Sequence, residues 1–533
     1  MPVTTSSSSS RSSKRARRGG AAAGAKGRTA ANVQPAWTVV AIGLLLAAIS
    51  ASAIVFFYRH GFLLYYGDAA SHINIARRII DSRTPGWAQV GTAWLPLPHL
   101  LMVPFVASEF LWRTGLAGSM AGGLCFVVAG VFLFLAARRA FSDGAAAAAA
   151  CLLFALNPNG LYLQAIPMTE SVFAACLAGL LYFSVRFRDT QGWGALVGAG
   201  LAAAAGSLTR YEGWFLIPFA TLYFLIAARK NRWATALAFG AVAALGPLYW
   251  LGHNLYYYKN ALEFYNGSSS ARAIQHGETY PGDHDWRKAE LYVSAAIRLC
   301  LGQPLVIAGV AGAAIALLRR AVWPLILLAL VPVFYVWSLH SGTVPIFVPH
   351  LWPTGAYYNT RYGIGALPLA AFAAAALVTI APAGLRKVAA FILVLAAVMP
   401  WIAYPRMEGW TCWKESQVNS AARRAWTTEA VDYLRANYRA GEGILTTVGD
   451  AAAIYQKAGI PLRETLNECN GDAWNDLAAA RDPIPTEKWA VAIAGDRVSQ
   501  IIQRAGRSGP RYQVVKTIVV KGAPVVEIYH RQS

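Results

Sequence analysis

Apolar runs of membrane-spanning length recur through the first 404 residues, and this pattern predicts a series of transmembrane helices followed by a soluble tail. The predicted spans are 37–58, 116–137, 144–160, 169–185, 193–208, 213–228, 233–255, 303–318, 321–340, 363–381 and 386–404. The segment 95–112 is long enough to be a further crossing, but it carries Pro96, Pro98, His99, Pro104 and Glu109. Beyond residue 404 the pattern changes. Helical periodicity covers 421–438, and strand-like runs at 443–447, 489–493, 512–515 and 525–529 alternate with helices near 450–457 and 496–505. That alternation predicts a small α/β domain over 405–533. The expected fold class is mostly α, a polytopic transmembrane helical protein with a small C-terminal α/β domain.

Charge decides the status of 95–112. If it does not cross, Arg138-Arg139, Arg186/Arg188, Arg229-Lys230-Arg232, Arg319-Arg320 and Arg386-Lys387 all fall on the side of the basic N-terminus. If it does cross, all five groups move to the opposite side, against the positive-inside bias. The expected topology is therefore eleven spans, N-in and C-out, with 95–112 lying along or dipping into the outer interface. The segment 1–36 carries seven basic residues, no acid and a serine run, and is expected to be a disordered cytoplasmic tail. The run from Trp37 to Tyr58 is too long for a signal-peptide core and reads as a first anchor.

Composition agrees with a membrane protein. The 533 residues are 56% hydrophobic and 14% charged, against about 25% charged in soluble domains. A net charge of +21 invites a nucleic-acid partner, but the basic residues cluster at span ends, the pattern of topology signals and lipid headgroup contacts. No nucleic acid is expected. The abundance of Ala, Gly and Arg fits a bacterial source, hence a multi-pass protein of the bacterial cytoplasmic membrane.

The predicted topology gathers the polar chemistry on the outer face. Asp68 and His72 are four apart and share one face of a helix that would begin just after the first span. Spacing alone favours Asp68 as a helix cap; the alternative is a carboxylate acting as general base at the mouth of an apolar cavity. For His72 a polar interfacial residue is the simpler reading, and Arg77, Arg78 and Asp81 read as a solvated face with an Arg77–Asp81 pair. Arg210 and Arg361 lie at outer ends of spans, where a guanidinium either snorkels to headgroups or holds a phosphate bidentately. Glu212 reads first as the ion-pair partner of Arg210. His276, His284, Asp283 and Asp285 match no ligand spacing and read as solvated loop. Cys412 and Cys469 share the outward tail, where a disulfide or two unpaired thiols are equally compatible with the spacing.

Several motifs occur in an order that resembles a known family. An acid, Asp68, follows the first span. The segment Trp94-Leu95-Pro96-Leu97-Pro98-His99, the junction Ala137-Arg138-Arg139-Ala140-Phe141, Asn157-Pro158 with Thr169-Glu170, and Arg361-Tyr362 with Leu367-Pro368 follow in turn. Together they resemble the polyprenyl-phosphate-dependent membrane glycosyltransferases of GT-C architecture, in particular the protein mannosyltransferase and aminoarabinose transferase group (glycosyltransferase family 39). The resemblance covers 40–404. It implies an inverting transfer of a hexosyl or pentosyl unit from a polyprenyl-phosphate donor to a lipid, glycan or protein acceptor at the extracytoplasmic face. It also implies interfacial helices in the first outer loop and Asp68 as catalytic base. A lipid-linked sugar phosphate needs guanidinium donors for its anionic head, which makes Arg361 and Arg210 the expected substrate-binding residues, with Glu212, His72 and Tyr362 beside them. Many relatives carry two adjacent acids where this chain has Asp68-Ala69. No metal site is supported by spacing, and the cofactor requirement is open. A transporter of lipid-linked sugars would instead place charges at mid-depth, and a non-catalytic sensor would hold Asp68 and Arg361 far apart.

Overall fold

The structure, a computed structural model, describes residues 36–268, 270–275, 278–507 and 511–532. The basic segment 1–35 and His276 lie outside the described residues. Helices occupy all eleven predicted positions, but their lengths differ. Among the described residues seven stretches are individually long and apolar enough to cross a membrane: Ala36–Arg59, Leu116–Phe141, Glu170–Thr190, Arg232–Tyr258, Val322–His340, Thr360–Ile380 and Ala383–Ala403. Two bent pairs, Gly144–Ala155 with Pro158–Ala165 at 63° and Trp286–Leu301 with Gln303–Leu318 at 110°, bring the number to nine. Trp193–Ser207 and Glu212–Ala227 have only 15 and 16 residues, short of the roughly 20 that span a bilayer. The protein is a multi-pass membrane protein.

Each bend has a local cause. Asn157 caps the helix Pro158–Ala165 by accepting from Gly160 N at 3.0 Å, and Pro158 occupies the first turn, where its missing N–H costs nothing. Gly302, at φ +82°, allows the sharp turn after Trp286–Leu301. This last helix, one face buried and the other exposed, lies between the predicted spans 233–255 and 303–318, where the apolar pattern predicts no element. The cause of the miss is that an interfacial helix lacks a span-length apolar run.

The segment 95–112 breaks into Leu97–Val106 and Glu109–Thr114, of 10 and 6 residues. At 1.5 Å per residue neither reaches across a hydrocarbon core of about 30 Å. With Gly67–Ile80 these helices form a platform that buries Ile73, Met102 and Trp112 against Trp426, Leu434, Ile444 and Trp489 of the tail. Trp112 Nε1 donates to Asn74 Oδ1, Asn74 Nδ2 to Gln456 Oε1, and Gln456 Nε2 to Trp112 O, so platform and tail share one hydrogen-bonded ring.

In the tail a long helix, Thr411–Asn437, precedes a five-stranded mixed sheet of order β2-β1-β3-β5-β4. Its strands are β1 (Ile444–Leu445), β2 (Thr465–Leu466), β3 (Trp489–Ile493), β4 (Tyr512–Ile518) and β5 (Val526–Arg531). β1 runs parallel to β2 and β3, whereas β5 is antiparallel to β3 and β4. The two-residue β2 carries too little pattern to be read in the sequence. Cys412 and Trp413, at the start of the long helix, are buried in the same core as the membrane helices.

Arg77 and Asp81 do form the expected helical pair, at 2.9 Å, but they are buried instead of solvated. Asp81 also accepts from Arg463 Nη1 at 3.0 Å, and Arg77 donates to Val106 O at 2.6 Å and packs over Trp112. The pair was read as solvated because its covering layer lies some 380 residues further along the chain. Replacing Asp81 with Asn should leave Arg77 only the half-exposed Glu109 carboxylate, 3.2 Å away, as counter-charge and cost about 2 kcal/mol of docking stability. Hydrogen exchange should then quicken over Gly67–Ile80 and residues 460–466, while the membrane helices stay protected.

The helix Glu170–Thr190 fixes a direction. Its last turn holds Asp189, 3.4 Å from Arg139, at the end where Arg386 meets Asp143 at 2.9 Å and Arg319 meets Thr379 O. Its first residue, Glu170, lies at the opposite end of the helix, about 30 Å away.

Candidate active site

At that opposite end four carboxylates and two guanidinium groups converge from five separate segments, Arg210 and Glu212 sharing one turn. Asp68 stands in the first turn of Gly67–Ile80, Glu170 begins Glu170–Thr190, and Glu212 begins Glu212–Ala227. Three acids at helix starts suit the partial positive charge there. Asp68 is not the cap that spacing favoured. Tyr66 occupies that position with no side-chain cap bond, and Asp68 Oδ2 instead accepts from Arg361 Nη2 at 2.5 Å.

Arg361 sits on the tight 3-10 turn Thr360–Ala366. Its Nη1 donates to Glu415 Oε1 at 3.3 Å, and Glu415 Oε2 accepts from Arg361 N at 3.0 Å. Arg361 Nε lies 3.4 Å from Glu170 Oε1, close enough for Coulomb attraction but off line for a hydrogen bond. Arg210 Nε donates to Glu212 Oε1 at 2.7 Å, the expected ion pair, and Nη1 donates to Thr169 Oγ1 at 2.7 Å and to Glu170 Oε1 at 3.4 Å. Tyr335 OH also donates to Glu212 Oε1. Tyr362 is wedged between the two cations, 5.0 Å from Arg210 and 5.2 Å from Arg361, and stacks on Tyr335. Tyr66 covers Arg361 from the other side at 5.0 Å. Such contacts hold the guanidinium planes without neutralising them.

Two glycines let the arginine turns reach these positions. A Cβ on Gly363 would lie 2.3 Å from Ala296 O, and one on Gly213 would lie 2.4 Å from the Gly206 carbonyl carbon. Both turns therefore lie flush against a neighbouring backbone, which no larger residue would permit.

Exposure separates the acids. Asp68 is 39% exposed, whereas Glu170 is 9%, Glu212 4% and Glu415 1% exposed. Burial pushes Glu415 up from the ordinary carboxylate value, against the opposing pull of Arg361. Glu170 Oε2 is buried with no hydrogen-bond partner, an open acceptor beside the cluster. Behind Glu170, Arg210 and Tyr335 a narrow apolar cavity runs between helices, lined by Phe126, Phe154, Leu163, Phe173, Ile364 and Leu367.

His72 lies one turn beyond Asp68 and is buried against Trp94, with Nδ1 2.8 Å from His99 Nε2. Burial pushes its pKa down to about 3, helped by the charges of Arg361 and Arg210, and burial likewise lowers His99. Both imidazoles are neutral near pH 7. Because the folded value lies below the unfolded value of about 6.5, His72 contributes stability that is complete above that pH and fades as pH falls toward 3. The slope is about 1.4 kcal/mol per pH unit, so acidification to pH 5 should cost about 2 kcal/mol through His72 alone. A His72→Gln variant should lose that part of the pH dependence of its thermal midpoint between pH 7 and 5.

Of the six residues singled out from the sequence, Asp68, Arg361, Arg210, Glu212 and Tyr362 share one connected cluster, and His72 adjoins it. Sequence reasoning missed Glu415, Tyr335, Tyr66 and the role of Glu170. Glu170 was visible as part of Thr169-Glu170, an acid at a helix start. Glu415 was read only as part of the tail, because nothing local signals that its helix enters the membrane core. Asp283 and His284 contact each other at 2.6 Å, His284 exposed and Asp283 largely covered instead of solvated, and among the described residues no three His, Cys, Asp or Glu side chains group to hold a metal ion.

Residues 112–250 match the family model described as dolichyl-phosphate-mannose-protein mannosyltransferase. The structure is similar to that of ArnT from Cupriavidus metallidurans in the apo state, with a TM-score of 0.51 and 14% identity over 90% of this chain and 97% of that one. It is also similar to the apo oligosaccharyltransferase of Archaeoglobus fulgidus, with a TM-score of 0.51 and 13% identity over 89% of this chain and 72% of that one. No curated protein matches the sequence. The fold is the polytopic GT-C architecture, with a small sheet after the membrane helices.

Proposed function

We propose that this GT-C protein is a membrane glycosyltransferase that moves a hexosyl or pentosyl unit from a polyprenyl-phosphate donor to a lipid, glycan or protein acceptor at the extracytoplasmic face. The observation that carries the reading is the contrast among the four carboxylates. Three are sealed around the arginines, and Asp68 alone is open to a substrate while still bonded to a guanidinium. A general base must be reachable by the acceptor, and a phosphate site must lie within a few ångströms of it.

In the reaction the acceptor O–H or N–H gives its proton to Asp68 as its heteroatom forms a bond to the anomeric carbon. The bond from that carbon to the phosphate oxygen breaks, and polyprenyl phosphate leaves with the electron pair. Arg361 and Arg210 neutralise the leaving charge in a preorganised, largely dry setting. Glu170 and Glu212 orient the two guanidinium groups, and Tyr362 keeps them apart. Donor phosphate arriving at Arg361 competes with Asp68 for the same Nη2 edge. Its binding therefore releases the carboxylate, so the base is freed when the donor is in place. The narrow apolar cavity behind the cluster marks the side from which the lipid chain would approach.

The direct test is the full chain in proteoliposomes, given polyprenyl-phosphate hexoses and pentoses with an envelope extract as acceptor. Release of polyprenyl phosphate with transfer of the sugar is the expected result. Failure of folded protein to consume any donor of that panel would overturn the reading.

A further inference from the structure

Cys300 ends the interfacial helix Trp286–Leu301, and Cys412 begins the tail helix Thr411–Asn437. They are 112 residues apart, both fully buried, with their sulfurs 3.9 Å apart. The backbone on both sides is held by one turn. Asn157 Nδ2 and Asn159 Nδ2 donate to Cys300 O at 3.0 and 2.9 Å, while Asn159 Oδ1 accepts from Cys412 N at 2.8 Å. Tyr66 OH donates to Cys412 O at 2.8 Å, which fixes the second backbone from the other side. Cys469, the partner that compartment reasoning offered for Cys412, is tied elsewhere, its carbonyl accepting from Gln89 Nε2 at 2.8 Å.

We propose that Cys300 and Cys412 form a disulfide that clamps the tail helix to the membrane domain beside the active site. This rests on the reading that the site faces outside the cytoplasm, where disulfides persist. The clamp would act on the cluster directly. The turn that carries Arg361 packs flush on the Cys300 helix, where a Cβ on Gly363 would lie 2.3 Å from Ala296 O, and Cys412 lies three residues before Glu415. Closing the bond gives up the thiol hydrogen bond from Cys300 to Thr360 O and ties the helix beneath the Arg361 turn covalently to the helix that supplies its buried counter-charge. A cross-link over a loop this long also removes much chain entropy from the unfolded state.

The chemistry is a two-electron oxidation. The two thiols lose two protons and two electrons, and the disulfide of a thiol–disulfide oxidoreductase takes them up as a dithiol. One cysteine thiolate attacks that disulfide to give a mixed disulfide, and the second cysteine then displaces the oxidoreductase. Burial pushes the Cys412 thiol well above its ordinary value, so exchange belongs to folding, before the tail helix docks. The contrary view is that two buried thiols simply pack as small apolar groups.

Peptide mapping decides between them. The full chain, purified from membranes without reductant, is denatured, treated with N-ethylmaleimide and digested with trypsin. The expected product is Leu299–Arg319 joined to Met407–Lys414, two hydrogens lighter than the sum of the free peptides and separated by dithiothreitol. Maleimide on both cysteines without prior reduction overturns the proposal, as does a link from Cys412 to Cys469. A Cys300→Ser/Cys412→Ser variant should lower the thermal midpoint and speed exchange over 411–437, and the same fall should follow dithiothreitol treatment of the unaltered chain. Lipid-linked donor consumption is measured on the same preparation. Free thiols with active transfer defeat the clamp alone, and a cross-linked but inactive protein defeats the functional reading alone.

Discussion

Asp68→Asn should lower turnover by about a thousandfold, within the range for loss of a general base, while leaving the protein folded. The amide keeps the shape of the carboxylate and still offers an oxygen to Arg361 Nη2, so the geometry around the guanidinium survives. What is lost is the ability to take a proton. The fold should tolerate the change because Asp68 is 39% exposed and its partner retains Glu415 and the nearby Glu170. The effect should fall on kcat and not on donor KM. Removing the charge also removes a competitor for the phosphate, so donor KM should hold or fall. Steady-state donor consumption in proteoliposomes gives both constants, and the elution profile and thermal midpoint report the fold. Unchanged kcat would remove Asp68 from the mechanism. Glu170→Gln and Glu212→Gln should behave differently, raising donor KM as the arginines lose their orientation, because neither acid is open to the acceptor.

The architecture was largely legible in the pattern of apolar runs, because a helix exposed to lipid must declare itself over some 20 residues. The charge pattern was as informative about 95–112, whose two short helices cannot cross. What stayed hidden has physical causes. Trp286–Leu301 alternates its faces and so lacks an unbroken apolar stretch, and β2 is two residues long. Within the site, Asp68, Arg210, Glu212 and Arg361 stood out because charge at the end of a span needs a reason. Their mutual arrangement did not, since Asp68 and Arg361 meet across 293 residues. Glu415 was the least visible. It belongs to a helix whose polar surface reads as soluble, and only the folded chain turns its first turn into the membrane core. For Asp68 the local signal even pointed elsewhere, to a cap, because a helix start and a catalytic carboxylate ask for the same residue at the same place.

Arg361 is where stability and chemistry meet, and Arg361→Met should damage both. The guanidinium is the positive partner of buried Glu415 and stands beside Glu170, so its loss leaves an uncompensated charge in the core at a cost of about 3–5 kcal/mol. The expected readouts are a lower thermal midpoint in detergent and faster hydrogen exchange at the start of Thr411–Asn437, together with loss of donor turnover. A second substitution separates the two effects. Glu415→Gln removes the stranded charge, so Arg361→Met/Glu415→Gln should be more stable than Arg361→Met alone, with a coupling of about 1–3 kcal/mol. Turnover should not return, since Asp68 would still face a site with no cation from Arg361 to receive the donor phosphate. Recovery of stability without recovery of turnover assigns Arg361 to both tasks. Recovery of both would leave it a structural counter-ion only, and would pass the phosphate to Arg210.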